Sequence, residues 1–116
     1  MHSIIPEKLE EILESFKHRH IIVLGDIMLD EYLWGKVQRI SPEAPVPIIE
    51  VNSADYRLGG AANAALNLKV LGAQVSLVGV CGKDTQATTI ITQLKDKEMS
   101  TSGIFLDSSR PTTLKT

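Results

Sequence analysis

The sequence predicts an α/β fold, in which the strands of a parallel sheet alternate with helices along the chain. Short apolar runs bounded by glycine recur in the sequence, which is typical of strands buried inside a sheet. Between them lie longer segments whose apolar residues recur at helical spacing, as amphipathic helices require. In addition, 43% of the 116 residues are hydrophobic, and a chain of this size can bury a core without disulfides.

The first predicted element is an amphipathic helix that begins near Pro6, since proline suits the first turn of a helix. Its apolar stripe is expected to pack against the rest of the protein. Residues 21–24 form a continuous apolar run that predicts the first strand, covered on both faces as in a parallel sheet. The stripe of the helix consists of Ile5, Leu9, Ile12, Leu13 and Phe16.

The pattern changes between Asp30 and Leu58, where two short strands are predicted at residues 32–34 and 48–51. Prolines separate the two strands, and proline is excluded from helix interiors and central strands. This part of the chain is therefore interpreted as a small subdomain beside the main sheet. The prolines are Pro42, Pro45 and Pro47.

The alternation becomes regular after Gly60. Residues 61–71 are rich in Ala and Leu, and Gly72 follows as a C-terminal cap, so a helix is predicted there. The next strand is predicted at residues 75–80. Strand, helix and strand at this spacing indicate a parallel sheet with helices on its faces.

Asp84 is predicted to cap a helix that extends to about Glu98. A further strand is predicted at residues 103–106, and residues 110–116 are strand-like to the last residue of the sequence. That ending suggests a chain cut from a longer one. The apolar face of the helix would consist of Ala87, Ile90, Ile91 and Leu94.

Composition argues against several classes of protein. With 12 Lys and Arg against 14 Asp and Glu, there is no surplus of positive charge for nucleic acid or an anionic membrane surface. No apolar run approaches the roughly 18 residues of a membrane span. The N-terminus has neither a signal nor a transit sequence, and a single cysteine, Cys81, favours a reducing compartment. A cytoplasmic location is therefore expected.

Two carboxylates, Asp26 and Asp30, follow the first predicted strand, where parallel sheets bind their ligands. They could accept hydrogen bonds from sugar hydroxyls or hold a metal; equally, they could serve a local turn and solvent. Gly59 and Gly60 precede a helix start, where free backbone N–H groups favour an oxygen-rich ligand. Asn63, in the first turn, could donate to and accept from a hydroxylated substrate, or cap the helix locally.

The remaining reactive side chains favour structural roles. Cys81 alone is more typical of a small buried apolar residue than of a nucleophile. The three histidines, His2, His18 and His20, lack a cysteine or carboxylate at metal-ligand spacing. A surface role is therefore expected for them, and no metal site is predicted.

The spaced pattern Gly59-Gly60, Ala61, Asn63, Ala65, Gly72 and Gly82 resembles the N-terminal signature of the ribokinase-like carbohydrate kinases, the PfkB family. The resemblance extends from about Phe16 onward. Within the family, four stretches look most like the heptose-7-phosphate kinases, which make phosphorylated heptose for lipopolysaccharide cores and are often fused to an adenylyltransferase. These stretches are residues 25–32, 39–47, 58–63 and 110–116.

The resemblance implies a ribokinase-like parallel sheet plus part of a small β-sheet lid, formed by residues of about 32–58 and 110–116. The lid would close over the sugar and pair with a second subunit, giving a homodimer. Arg39 and Lys115 are weaker candidates for binding a phosphate that the substrate already carries. The residues expected to bind the sugar are Asp30, Gly59, Gly60 and Asn63.

The resemblance also implies ATP and Mg²⁺ as cofactors of the whole enzyme. Its catalytic base would lie in a later Gly-Ala-Gly-Asp segment, beyond Thr116, with the nucleotide site. Residues 1–116 are thus expected to be the N-terminal part of a kinase domain, without a catalytic residue and inactive alone. Two alternatives stay open: part of a kinase for another sugar or a nucleoside, or a non-catalytic remnant that dimerises.

Overall fold

The computed structural model describes residues 6–116. Its elements form two three-stranded sheets, with strand orders β1-β4-β5 and β3-β2-β6. The elements in chain order are α1 (Pro6–Ser15), a 3₁₀ turn (Phe16–His18), β1 (His20–Leu24), β2 (Ile27–Ile40), β3 (Pro47–Gly59), α2 (Gly60–Val70), β4 (Gln74–Gly82), α3 (Thr85–Asp96), β5 (Ile104–Asp107) and β6 (Thr113–Lys115).

The sheet β1-β4-β5 is parallel throughout, which confirms the predicted α/β fold. His20 to Leu24 of β1 pair with Gln74 to Val78 of β4. The later residues of β4, from Gly79, pair with β5. Helix α2 precedes β4 and helix α3 joins β4 to β5, so each of these strands is followed or preceded by a helix, as the sequence pattern indicates.

The second sheet is built on a long antiparallel hairpin of β2 and β3, in which Met28 lies opposite Gly59 and Ile40 opposite Pro47. The short strands predicted at 32–34 and 48–51 are therefore wrong in extent. Two of the three prolines lie in the turn between the strands, and Pro47 is the first residue of β3, where a missing N–H is tolerated. The prolines mark the end of the hairpin; they do not interrupt it. Strand β6 adds to the other edge of β2 in parallel.

A buried cluster joins the base of the hairpin, helices α2 and α3, and β4. Cys81 lies in this cluster with 1% of its surface exposed, and burial raises the pKa of its thiol. Cys81 is thus a packed apolar side chain, as predicted. The cluster consists of Ile27, Leu29, Leu58, Ala62, Ala65, Leu77, Cys81, Ala87, Ile90, Leu94 and Met99.

Two packing expectations are wrong. Ile22 and Leu24 of β1 are 68% and 77% exposed, because α2 and α3 both pack into the same cluster on the opposite face of the sheet. No residue of α1 is buried, so its apolar stripe is exposed to solvent over residues 9–13. Ile5, the first residue of that stripe, lies outside the described residues, as does His2; His18 and His20 are exposed.

Candidate functional site

Asp30 lies on β2 near the point where the hairpin meets α2, and it is an unusual carboxylate. Its Oδ1 atom is buried and receives no hydrogen bond from the described residues. Lys115 Nζ approaches that oxygen to 2.9 Å and forms an ion pair with it. Because a carboxylate oxygen has two acceptor lone pairs and Lys115 can occupy only one of them, this oxygen is a candidate for receiving a ligand hydroxyl.

Gly59 lies opposite Met28 on β3, beside the Asp30 carboxylate. A Cβ atom at Gly59 would lie 2.6 Å from Asp30 Oδ1 and 2.8 Å from its Cγ. The glycine therefore makes room for the carboxylate, which explains why a residue without a side chain stands here.

Gly60 begins α2 with a φ of +57°, and its missing Cβ would meet the carbonyl of Asp26. That carbonyl accepts a 2.8 Å hydrogen bond from the N–H of Ala61. The start of α2 is thus held against the turn after β1, directly beside the Asp30 and Gly59 pair. The two predicted glycines contribute through close backbone approach, one to a side chain and one to a carbonyl.

Asn63 is exposed in the first turn of α2. It lines an open cavity of about 420 Å³ with Tyr56, Arg57 and Leu58 of β3 and with residues of α3, whereas Asp30 does not line that cavity. The structure therefore brings Asp30, Gly59 and Lys115 into contact and places Gly60 next to them. Asn63 lies one helical turn farther on.

Lys115 reaches Asp30 because the segment before β6 is anchored by Asp84. The Asp84 carboxylate caps α3 by accepting from the Ala87 N–H at 2.9 Å. It also accepts from the N–H and the hydroxyl of Thr112, each at 2.7 Å. These bonds hold the pKa of Asp84 below its usual value. Asp84, predicted as a helix cap, thus also fixes the strand that carries Lys115.

Gly82, the last glycine of the spaced pattern, belongs to the same anchor. Its N–H donates to the Thr112 hydroxyl at 2.9 Å, and a Cβ at Gly82 would lie 2.5 Å from the Thr112 nitrogen. Thr112 is 5% exposed. A side chain at Gly82 would therefore displace the segment that leads into β6.

The two cationic candidates differ in position. Lys115 pairs with Asp30 in the register of β6 and β2, and the Asp30 carboxylate raises the pKa of its ammonium group. Arg39 lies opposite Ile48, nine residues along β2 from Asp30, or about 30 Å at the rise of a strand. The structure therefore does not bring Arg39 to the site, because β2 stays extended over its whole length.

Arg57 is a residue that the sequence reasoning missed. It lies directly opposite Asp30 in the hairpin, its Nε binds Asp55 Oδ2 at 2.9 Å, and its guanidinium lies 4.8 Å from the centre of the Tyr32 ring. A hairpin extended to Gly59 would have revealed this pairing, but the predicted strands ended several residues short of Arg57.

Two further findings concern metal binding and membrane helices. Over residues 6–116, no group of three or more His, Cys, Asp or Glu side chains is placed to hold a metal ion. In the same part of the chain, every helix is too short or too polar to cross a membrane.

Comparison with known proteins gives a consistent result. The model of the pfkB family of carbohydrate kinases matches residues 18–116. The bifunctional protein HldE of Helicobacter acinonychis is 56% identical over 98 residues, which are 84% of this chain and 21% of that protein. The chain thus spans about a fifth of the length of such curated relatives.

Solved structures share the fold. Halothermothrix orenii fructokinase superposes with a TM-score of 0.60 and 29% identity, over 83% of this chain and 32% of that one. Xylella fastidiosa fructokinase with bound ATP superposes with a TM-score of 0.58 and 23% identity, over 85% of this chain and 26% of the other. The chain belongs to the pfkB family of carbohydrate kinases.

Proposed function

We propose that this chain supplies part of the acceptor-sugar site of an ATP-dependent kinase whose substrate is a sugar phosphate of the heptose 7-phosphate type. The observation that carries the proposal is the buried Oδ1 of Asp30, which among the described side chains is approached by Lys115 at 2.9 Å and lies beside a glycine that leaves it space. A sugar hydroxyl would donate to this oxygen. The family of the chain and the four stretches that resemble heptose-7-phosphate kinases support the choice of substrate.

In this proposal Asp30 orients the sugar, and Gly59 and Gly60 allow the ring to approach the backbone where the hairpin meets α2. Asn63 contributes from the first turn of that helix. The hairpin would act as a lid that keeps water from the reacting groups, because an accessible water would compete as the acceptor of the phosphoryl group.

ATP is the proposed phosphoryl donor, supported by a fructokinase of the same fold that was solved with ATP bound. No catalytic step is assigned to the side chains of residues 6–116. We propose that the base, the nucleotide site and the metal lie in other parts of the enzyme, and that residues 1–116 alone do not transfer a phosphoryl group.

We further propose that the hairpin pairs with a second copy of the chain. Its outer half carries large apolar side chains that are largely exposed, a pattern that marks interaction surfaces. The hairpin surface consists of Trp34, Val37, Ile40, Ile49 and Val51, exposed by 58%, 59%, 68%, 52% and 49%.

Titration of the chain with heptose 7-phosphate, followed by amide chemical shifts in NMR, tests the sugar site. Asp30→Asn should weaken binding about tenfold, because a hydrogen bond to a charged acceptor contributes about 1.5 kcal/mol. Asp26→Asn is the matched control, since this substitution removes the same charge at an exposed position. Equal affinities of the two variants would contradict the role of Asp30.

The same titrations with fructose and ribose separate the proposed substrate from the other sugars of the family. An assay for ATP-dependent phosphorylation of heptose 7-phosphate tests the expected inactivity of residues 1–116. Turnover by the purified chain, persisting after removal of host kinases, would show that this part of the proposal is wrong.

A further inference from the structure

Asp30 lies in the middle of a row of three charged residues that crosses the second sheet. Arg57 of β3 and Lys115 of β6 are its register partners on the two sides. Side chains of register partners emerge on the same face of a sheet, with Cβ atoms about 5 Å apart. One acceptor for hydroxyl groups is thus flanked by two cations on one face.

Both cations have hydrogen-bond donors to spare. Arg57 uses its Nε on Asp55, which leaves the N–H groups of the two terminal nitrogens, since a guanidinium has five donors. Lys115 has three donors and touches only Oδ1 of Asp30. The side chains of Arg57 and Lys115 are 60% and 65% exposed, so these donors are available to a ligand.

The guanidinium of Arg57 is also preorganised. Its Nε atom binds the Asp55 carboxylate, and its Cζ atom lies over the face of the Tyr32 ring, 4.8 Å from the ring centre. Stacking on an aromatic ring while the other edge stays free is an arrangement suited to bidentate recognition of phosphate oxygens. The Arg57 side chain thus extends toward Tyr32, which lies two residues beyond Asp30 on β2, and away from the start of α2.

We propose that Arg57 is a specificity-determining residue that binds the phosphate ester already present on the acceptor sugar, with Lys115 on the other side of the row. Asp30 then holds a hydroxyl while the two cations hold the ester oxygens, so a phosphorylated sugar is preferred to the free sugar. This inference rests on the proposed sugar site and deepens it, since it names the group that selects the substrate.

The test compares the affinities of two ligands for each of three proteins. Heptose 7-phosphate and the same heptose without phosphate are each titrated into the 116-residue chain, into Arg57→Gln and into Arg39→Gln, with amide shifts as the readout. The measured quantity is the ratio of the two affinities. A partial loss of folding scales both affinities alike and leaves their ratio unchanged.

The wild-type chain should bind the phosphorylated sugar about a hundredfold more tightly, the value of two charge-assisted hydrogen bonds, one from each cation. Arg57→Gln should lower the ratio about tenfold, the share of one charge-assisted bond, with little change for the free sugar, whereas Arg39→Gln should keep the wild-type ratio. An unchanged ratio in Arg57→Gln would overturn the inference and leave the sugar site intact. Absence of binding by either sugar to the wild-type chain would overturn the sugar site and the inference together.

Discussion

At the scale of single residues, the site depends on glycines, which lack a Cβ atom, as much as on charged side chains. The sequence predicts that Gly59 brings its backbone close to a ligand; the structure adds that its missing side chain makes room for Asp30. A sequence pattern can identify that a glycine is needed, but the neighbour that requires it emerges only from the strand register. For the same reason the sequence does not reveal that Arg57 lies beside the site, because its register partner Asp30 is 27 positions earlier in the chain.

Asp84 is the residue whose loss should cost the most stability outside the apolar core. Asp84→Ala removes a helix cap and two bonds to Thr112, so we expect unfolding to require about 2 kcal/mol less free energy. Urea denaturation measures the change. Asp96→Ala, an exposed aspartate at the other end of α3, is the control and should change stability by less than about 0.5 kcal/mol.

The pH dependence of the same variant checks the cause. Because hydrogen bonds lower the folded-state pKa of Asp84 below its ordinary value of 3.8, its contribution is complete well above pH 4 and is lost as pH falls through the folded-state pKa. The difference between wild type and Asp84→Ala should therefore shrink below about pH 4. A difference that stayed constant down to pH 2 would contradict this assignment.

At the scale of elements, the hairpin shows where sequence reasoning succeeded and where it failed. The excursion from the main sheet was predicted, because three prolines break the pattern of alternating strands and helices. The length of β2 and β3 was not predicted, since polar and charged residues such as Lys36 and Arg57 interrupt the apolar runs. Each of these residues has a register partner across the hairpin, and a two-stranded ribbon that faces solvent needs no continuous apolar run.

The outer half of the hairpin should mediate self-association if it pairs with a second copy. Trp34→Ser combined with Ile49→Ser removes two large exposed apolar side chains, so a dimer should dissociate to a monomer in light scattering coupled to size exclusion. Leu106→Ser, which removes an equally exposed side chain on β5, serves as the control and should leave the dimer intact. A monomeric wild-type chain, or a dimer unaffected by the double substitution, would contradict the proposed pairing.

At the scale of the whole molecule, the order of strands and helices was predictable and the packing of the sheet was not. The sequence indicates that β1 is apolar on both faces, and the structure confirms its place in a parallel sheet. Which face the two helices cover depends on how the chain crosses the sheet, a property that short apolar runs do not encode. The opposite face carries exposed apolar side chains on all three strands: Ile22, Leu24, Val80 and Phe105.

This open face should dominate the solution behaviour of the 116-residue chain. Leu24→Thr combined with Phe105→Thr should lower the fluorescence of bound anilinonaphthalene sulfonate and slow aggregation, with a change in unfolding free energy below about 1 kcal/mol, because both side chains are more than half exposed. Ile90→Ala, at a fully buried position, should cost about 3 kcal/mol. Thermal melting and light scattering measure both effects. A double variant that melts as early as Ile90→Ala would show that the face is covered.

The pairing of β6 with β2 has a consequence for the time order of folding. Glu31 and Thr116 are hydrogen-bonded across a separation of 85 residues, and Lys115 meets Asp30 over the same span. Contacts of such long range form slowly, because the loop entropy must be lost before the contact stabilises the chain. On the ribosome, Asp30 is synthesised early and has no cationic partner until β6 emerges. The surroundings of Asp30 should therefore form after β1, β4, β5 and the helices between them.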